Sequence, residues 1–256
     1  VNKQNDNSDK SNDIINYVKC NDFEKASEIL SSLELDGAGN IHDIIGCLIN
    51  CGGGEVIDFS IYLHSTGKKF FVSKYFPSIF SHFISDKEVI IKNKYYASHQ
   101  LKVGIGTDSD GDHSVYGSDP DSQNSLYYPD RFVWVIKIEH NRDGRNYVRI
   151  ENKYYTSLQL KVGIGTDSDG DHWVYGSYPH SQNSLYYPDR FLWSLKIDRM
   201  DDKGNIYFRI ENKYYPSHQL KAAIGTDSDG DHLVYSSDPD TQNSQYYPDR
   251  FLWIIG

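Results

Sequence analysis

The sequence predicts a two-part chain: a small all-α N-terminal domain followed by an all-β domain of the β-trefoil class, three repeats of four strands. Three observations carry that prediction. Apolar residues recur at helical spacing up to about residue 85, then give way to alternation from residue 87. From there "NKYY…GTDSDGDH…YYPDRF" occurs three times, beginning at Asn93, Asn152 and Asn212, a period of about sixty residues. Three such units closed about an axis leave no open sheet edge, whereas three strung in a line would expose both ends. The predicted divisions are a flexible segment at 1–10, a helical domain at 11–86 and a β-trefoil at 87–256.

The first ten residues are polar and are set aside as a lead-in. In "NDFEKASEILSSL", Asn21 or Asp22 is placed to cap a helix whose Phe23, Ala26, Leu30 and Leu33 share one face. "DGAGN" breaks it. A second helix starts after Asn40 and buries Ile41, Ile44, Ile45, Leu48 and Ile49, and "CGGGE" ends it by offering glycines for a left-handed cap. "VIDFSIYLHS" and "FFVSKYFPSIFSHFI" supply a third and a fourth, the last interrupted or restarted at Pro77.

In the β part the middle copy shows the pattern. "NYVRIE" sets Val148 and Ile150 on one face, and "LQLKVGIG" alternates inward Leu160, Val162 and Ile164 with outward Lys161 and Gly163. "HWVYG" is a short third strand, and "RFLWSLKI" aligns Phe191, Trp193, Leu195 and Ile197. Trp134, Trp193 and Trp253 become equivalent core residues.

The triplicated "GTDSDGDH" raises a metal-site question. An EF-hand loop needs oxygen ligands at positions 1, 3 and 5, glycine at 6 and glutamate at 12. Counted from Asp167, Asp169 and Asp171 fall correctly, but Gly170 is at 4, His172 at 6 and Tyr178 at 12, with Asp119 or Asp238 there in the sister copies. Asp-Gly between two alternating runs is a hairpin signal, so Gly111, Gly170 and Gly230 are expected at positive φ. The other use of these carboxylates, at Asp108, Asp110, Asp112, Asp167, Asp169, Asp171, Asp227, Asp229 and Asp231, is a weak, solvent-exposed calcium site. No other cofactor is expected. His113, His172 and His232 are expected to fix the turns by hydrogen bonds.

A net charge of −10 argues against nucleic acid or anionic membranes as partners. No apolar run approaches the roughly 20 residues a bilayer span needs. The chain begins at Val1 rather than Met, which fits a processed secretory form or a trimmed chain. Cys20, Cys47 and Cys51 are expected to be structural, bridged or buried; Cys20 can pair with either of the others, while Cys47 and Cys51 share a helix in poor geometry for a bridge. The chain carries neither a serine-hydrolase elbow nor a zinc-protease helix nor a phosphate loop, and it is read as a non-enzyme.

The run "IENKYYTSLQLKVGIGTDSDGDHWVYG", followed by the "FLW" strand, resembles the low-molecular-weight (30-kDa) lipoproteins of moth and silkworm haemolymph, most strongly from Gly163 to Gly176. The chain departs from them in the acidic residues before G-D-H and in the longer "DSQNSLYYPDR" insertion. The resemblance implies a helical domain followed by a β-trefoil, and a secreted haemolymph protein of storage and transport with roles in binding sugars or lipid and in defence. The 21 Tyr and 11 Phe suit an aromatic reserve. A dedicated trefoil lectin, or a toxin-like defence protein, is the alternative. Expected ligands are glycans or a small apolar molecule. The middle copy differs from its sisters by Trp173, Tyr178 and His180, so these, with Asp171 as polar partner, are the candidate carbohydrate site; Tyr187 and Arg190 of "YYPDR" are the second choice.

Overall fold

The computed structural model describes residues 2–256 apart from 38–39, 124, 141–144 and 182–183. Six helices come first: α1 (Asn2–Lys19), α2 (Phe23–Asp36), α3 (Ile41–Asn50), α4 (Glu55–Ser65), α5 (Lys69–Tyr75) and α6 (Ser78–Phe83). Helix α1 starts at Asn2, inside the segment set aside as a lead-in. Asp22 caps α2 by accepting from the Lys25 N–H, and Gly37, at φ 57°, closes its other end. Pro77 separates α5 from α6, because the residue before a proline avoids helical ψ and Phe76 is extended, at ψ 152°.

"CGGGE" does more than end a helix. Gly52 and Gly53 have φ of 70° and 88°, and Gly53 exchanges two backbone hydrogen bonds, each 2.8 Å, with Ile197 of the β region. A Cβ on Gly52 would stand 3.0 Å from the Ile197 carbonyl oxygen, so the glycines allow the helices to touch strand backbone directly.

Twelve strands follow: β1 (Glu88–Asn93), β2 (Gln100–Thr107), β3 (His113–Ser118), β4 (Val133–His140), β5 (Asn146–Asn152), β6 (Gln159–Thr166), β7 (His172–Ser177), β8 (Trp193–Met200), β9 (Ile206–Asn212), β10 (Gln219–Thr226), β11 (His232–Ser237) and β12 (Trp253–Ile255). All belong to one antiparallel twelve-stranded sheet. Strands β1, β4, β5, β8, β9 and β12 pair in a closed circuit; β2–β3, β6–β7 and β10–β11 are hairpins, and β3, β7 and β11 pair with one another.

The expectation of a β-trefoil of three four-stranded units is therefore corrected to a helical region followed by a single twelve-stranded antiparallel sheet. The sequence copies are not structural units: β4 shares seven register pairs with β5 of the next copy and three with β1 of its own. Alternation finds strands but does not name their partners.

Trp134, Trp193 and Trp253 are fully buried, and their indole N–H groups donate to the carbonyls of Leu101, Leu160 and Leu220 at 2.9, 3.0 and 2.9 Å. The apolar side chains of helices and sheet form one continuous cluster, joined in part by Phe83 edge-on to Phe208 at 5.7 Å. The expected inside–outside order of β6 fails at three residues: Lys161 is buried, at 3% exposure, Gly163 is buried too, and Ile164 is 56% exposed. The register shifts between Val162 and Thr166, and that bulge resets the alternation. The cysteine expectation is also corrected, since Cys20, Cys47 and Cys51 are all exposed and unpaired.

Candidate ligand clefts between the hairpins

In each "DSDGDH" the three aspartates have three different tasks. The first makes the turn. Asp108 Oδ1 accepts from the backbone N–H of Asp110 and Asp112 at 2.9 and 3.0 Å, and the Asp108 N–H donates to the Asp112 carbonyl at 2.9 Å. Asp167 and Asp227 repeat this, with Gly111, Gly170 and Gly230 at φ 82°, 83° and 83°. The second aspartate, Asp110, Asp169 or Asp229, stands exposed at the tip. The third is buried and paired to a lysine of the next copy: Asp112 with Lys161, Asp171 with Lys221, and Asp231 with Lys102. Among the described residues no group of three or more His, Cys, Asp or Glu is arranged to hold a metal ion.

The lysine pairs run head to tail and close on themselves, the third copy reaching the first. The aromatic contacts do the same. His113 lies against Tyr155, His172 against Tyr215 and His232 against Tyr96, with ring centroids 4.2, 3.8 and 3.7 Å apart. The His113 ring is also bonded through Nδ1 to the Gly104 carbonyl at 2.9 Å. Burial, and then the neighbouring His218 and His99, hold His172 and His232 below the usual imidazole range. Burial lowers Lys221 despite its aspartate.

Between adjacent hairpins lie clefts. The first, about 710 Å³, has Tyr116, Tyr127 and Tyr128 along one side and Asp227 and Asp229 of the third copy along the other, with Arg131 between. The third copy has the equivalent, about 570 Å³, between Tyr235, Tyr246 and Tyr247 and the second copy's Asp167 and Asp169, with Arg250. Each arginine is buried with its guanidinium 5.6 Å from a ring centre, Arg131 over Tyr128 and Arg250 over Tyr247. Burial first, then the carboxylates of Asp167, Asp171 and Asp169, push the Tyr235 hydroxyl up to about 12, so it remains a donor.

The four residues singled out in the sequence fall in different places. Trp173 is half-buried, 4.9 Å from the Tyr235 ring and opposite it in the β7–β11 ladder. Tyr178 and His180 are exposed beyond β7, and Asp171 is buried on Lys221. Of the four only Asp171 lines either cleft. Trp173 nevertheless marks a meaningful position: its counterparts Ser114 and Leu233 line the first and third clefts. Tyr127, Tyr128, Tyr246 and Tyr247 of the lining belong to the "YYPDR" segments, the second choice from the sequence, whose middle-copy members Tyr187 and Arg190 line neither cleft. Their exposure, 74% for Tyr127 and 71% for Tyr246, is a property sequence does not display.

The model of the lepidopteran low molecular weight (30 kD) lipoproteins matches residues 8–255. The chain belongs to that family. It is similar to the microvitellogenin of Manduca sexta, 29% identical over 246 residues, 96% of this chain and 91% of the relative. Among solved structures, a Culex salivary protein of the cysteine- and tryptophan-rich family is 19% identical with a TM-score of 0.44, covering 66% of this lipoprotein and 91% of that chain. A Caenorhabditis elegans protein of unknown function is 14% identical with a TM-score of 0.46, over 66% and 93%. These structural likenesses carry no functional argument. No helix among the described residues of the lipoprotein is long and apolar enough to cross a membrane.

Proposed function

We propose that this 30 kD lipoprotein is a secreted haemolymph protein of storage and transport that takes carbohydrate into the clefts between its hairpins. Family membership supports the haemolymph role, and the likeness to a microvitellogenin supports storage. The observation that carries the carbohydrate reading is the cleft itself: tyrosine rings for the apolar face of a sugar, with carboxylates and phenols in the same lining for its hydroxyls. No catalytic step is assigned.

The test is a glycan array at physiological calcium, with and without chelator, on the wild type and on Tyr127→Ala with Tyr246→Ala. Both tyrosines are largely exposed, so their loss leaves the core intact. Binding of a narrow sugar set, lost in the double variant, supports the reading. Background signal throughout rejects it and leaves storage alone, for which abundance in haemolymph across feeding stages is the measure.

A further inference from the structure

We propose that the clefts select sugars bearing a protonated amine, that is, oligosaccharides of deacetylated amino sugars, over neutral or anionic ones; this rests on the carbohydrate reading and narrows it.

The charge balance of the lining leads there. In the first cleft Lys102 is spent on Asp231, leaving Arg131 as the remaining cation against Asp108, Asp227 and Asp229. In the third, Lys221 is spent on Asp171, leaving Arg250 against Asp167, Asp169 and Asp227. Both arginines are buried over tyrosine rings and donate to backbone carbonyls, of Val103 and Ala222. The carboxylates are nearer the mouth: Asp108, Asp227 and Asp229 are exposed. A neutral sugar leaves this excess of negative charge as it is, and a sulfate or uronate adds to it. An ammonium group is attracted by the carboxylates and by the faces of the tyrosines across from them. The Tyr235 hydroxyl is pushed up first by its burial and then, in the same sense, by Asp167, Asp171 and Asp169.

Which carboxylates to remove follows from the turn. Asp108, Asp167 and Asp227 accept the turn's hydrogen bonds and Asp112, Asp171 and Asp231 hold the buried lysines, whereas exposed Asp110, Asp169 and Asp229 do neither. The triple variant Asp110→Asn, Asp169→Asn, Asp229→Asn discharges the tips and leaves the fold's own contacts in place.

The experiment is titration calorimetry of the full chain with three β-1,4-linked hexasaccharides of one backbone: the glucosamine hexamer, its fully N-acetylated form and the glucose hexamer. A lysine hexapeptide is the fourth probe. The expected result is roughly tenfold tighter binding of the glucosamine hexamer than of either neutral sugar, the effect of one to two exposed charge contacts. That preference falls in the triple variant, which leaves two carboxylates against one arginine in each cleft, and approaches unity in 1 M salt (about 3 Å screening length), while binding of the glucose hexamer is unchanged. Equal binding of all three sugars overturns the amine assignment and leaves the carbohydrate reading standing. Binding of none overturns both. A preference undiminished in the triple variant shows that the overall charge, not the cleft, attracts the amine. Equal capture of the lysine hexapeptide makes the site a general cation trap and overturns the sugar assignment.

Discussion

Replacing Lys161 by Met tests whether the closed ring of lysine–aspartate pairs holds the copies together. The side chains of Lys161 and Asp112 are 4% and 11% exposed, and Asp112 has one further side-chain donor, the Ser177 hydroxyl at 2.5 Å. Without the ammonium, a buried carboxylate keeps that hydroxyl and little else. Breaking a buried pair from one side costs about 3–5 kcal/mol, because the remaining charge stays desolvated. That is a large part of the ~5–15 kcal/mol by which domains are stable. Removing both charges in Lys161→Met with Asp112→Asn leaves an amide that still accepts from Ser177, so the double variant is expected within about 1 kcal/mol of wild type. The resulting coupling is at least about 2 kcal/mol. Urea unfolding at pH 7, followed by tyrosine and tryptophan fluorescence and extrapolated linearly, reads all four corners of the cycle. Lys102→Met and Lys221→Met are expected to cost at least as much as Lys161→Met, since Asp231 and Asp171 are equally buried and the counterpart hydroxyls of Ser118 and Ser237 donate to neither. A cost below about 1 kcal/mol for any of the three lysines refutes the argument.

Trp193→Ala is expected to cost about 3–5 kcal/mol by the same assay, while Trp173→Ala, half-buried and outside the core, costs under about 1 kcal/mol. Gly52→Ala is expected to lose about 1–3 kcal/mol, since φ is 70° and the added Cβ meets the Ile197 carbonyl; hydrogen exchange should show the loss concentrated where α3 meets β8. Burial raises Asp58 to about 6, opposed by the Asn146 amide that donates to it at 2.8 Å. Its raised value means stability that is full below the unfolded value of 3.8 and is lost as pH rises through about 6. Asp58→Asn is therefore expected to stabilise above pH 6, by at most about 3 kcal/mol, and to change little near pH 4. His172 and His232 act in the opposite direction: their lowered values mean stability present above 6.5 and lost as pH falls below it. A melting-temperature profile of Asp58→Asn parallel to wild type from pH 4 to 8 contradicts the assignment.

What was legible in the sequence was local. Phe23, Ala26, Leu30 and Leu33 gave a helix face, the Asp-Gly turns gave hairpin tips, and the three tryptophans marked strands that reach the core. These signals depend on neighbours within a few residues. The outward expectation for Lys161 failed because its fate is decided by Asp112, in another copy, and the inward one for Ile164 because of a bulge that no residue pattern announces. The circuit of strands was out of reach for the same reason, since β1 closes on β12 at the far end of the chain. So were the clefts, which set Tyr116 opposite Asp227. The helical region was placed by glycines whose spacing suggested only a cap, although their partner is Ile197.

The head-to-tail closure also explains how near-identical copies coexist with unlike clefts. Each copy completes its buried lysine with the preceding copy's aspartate and its tyrosine with the preceding copy's histidine, and the first is completed by the third. Every copy both gives and receives, so a change in one member of a lysine–aspartate pair leaves its partner in the adjacent copy buried and unsatisfied, a cost that holds these residues equal in all three. Position 114, with its counterparts 173 and 233, belongs to neither contact. It carries Ser, Trp and Leu in turn, and the cleft is about 710 Å³ where it is Ser and about 570 Å³ where it is Leu. The buried ring therefore fixes the relation of the hairpins, and residues outside it, Gly104 and Ser114 in the first cleft against Ala223 and Leu233 in the third, are left free to set what fits between them.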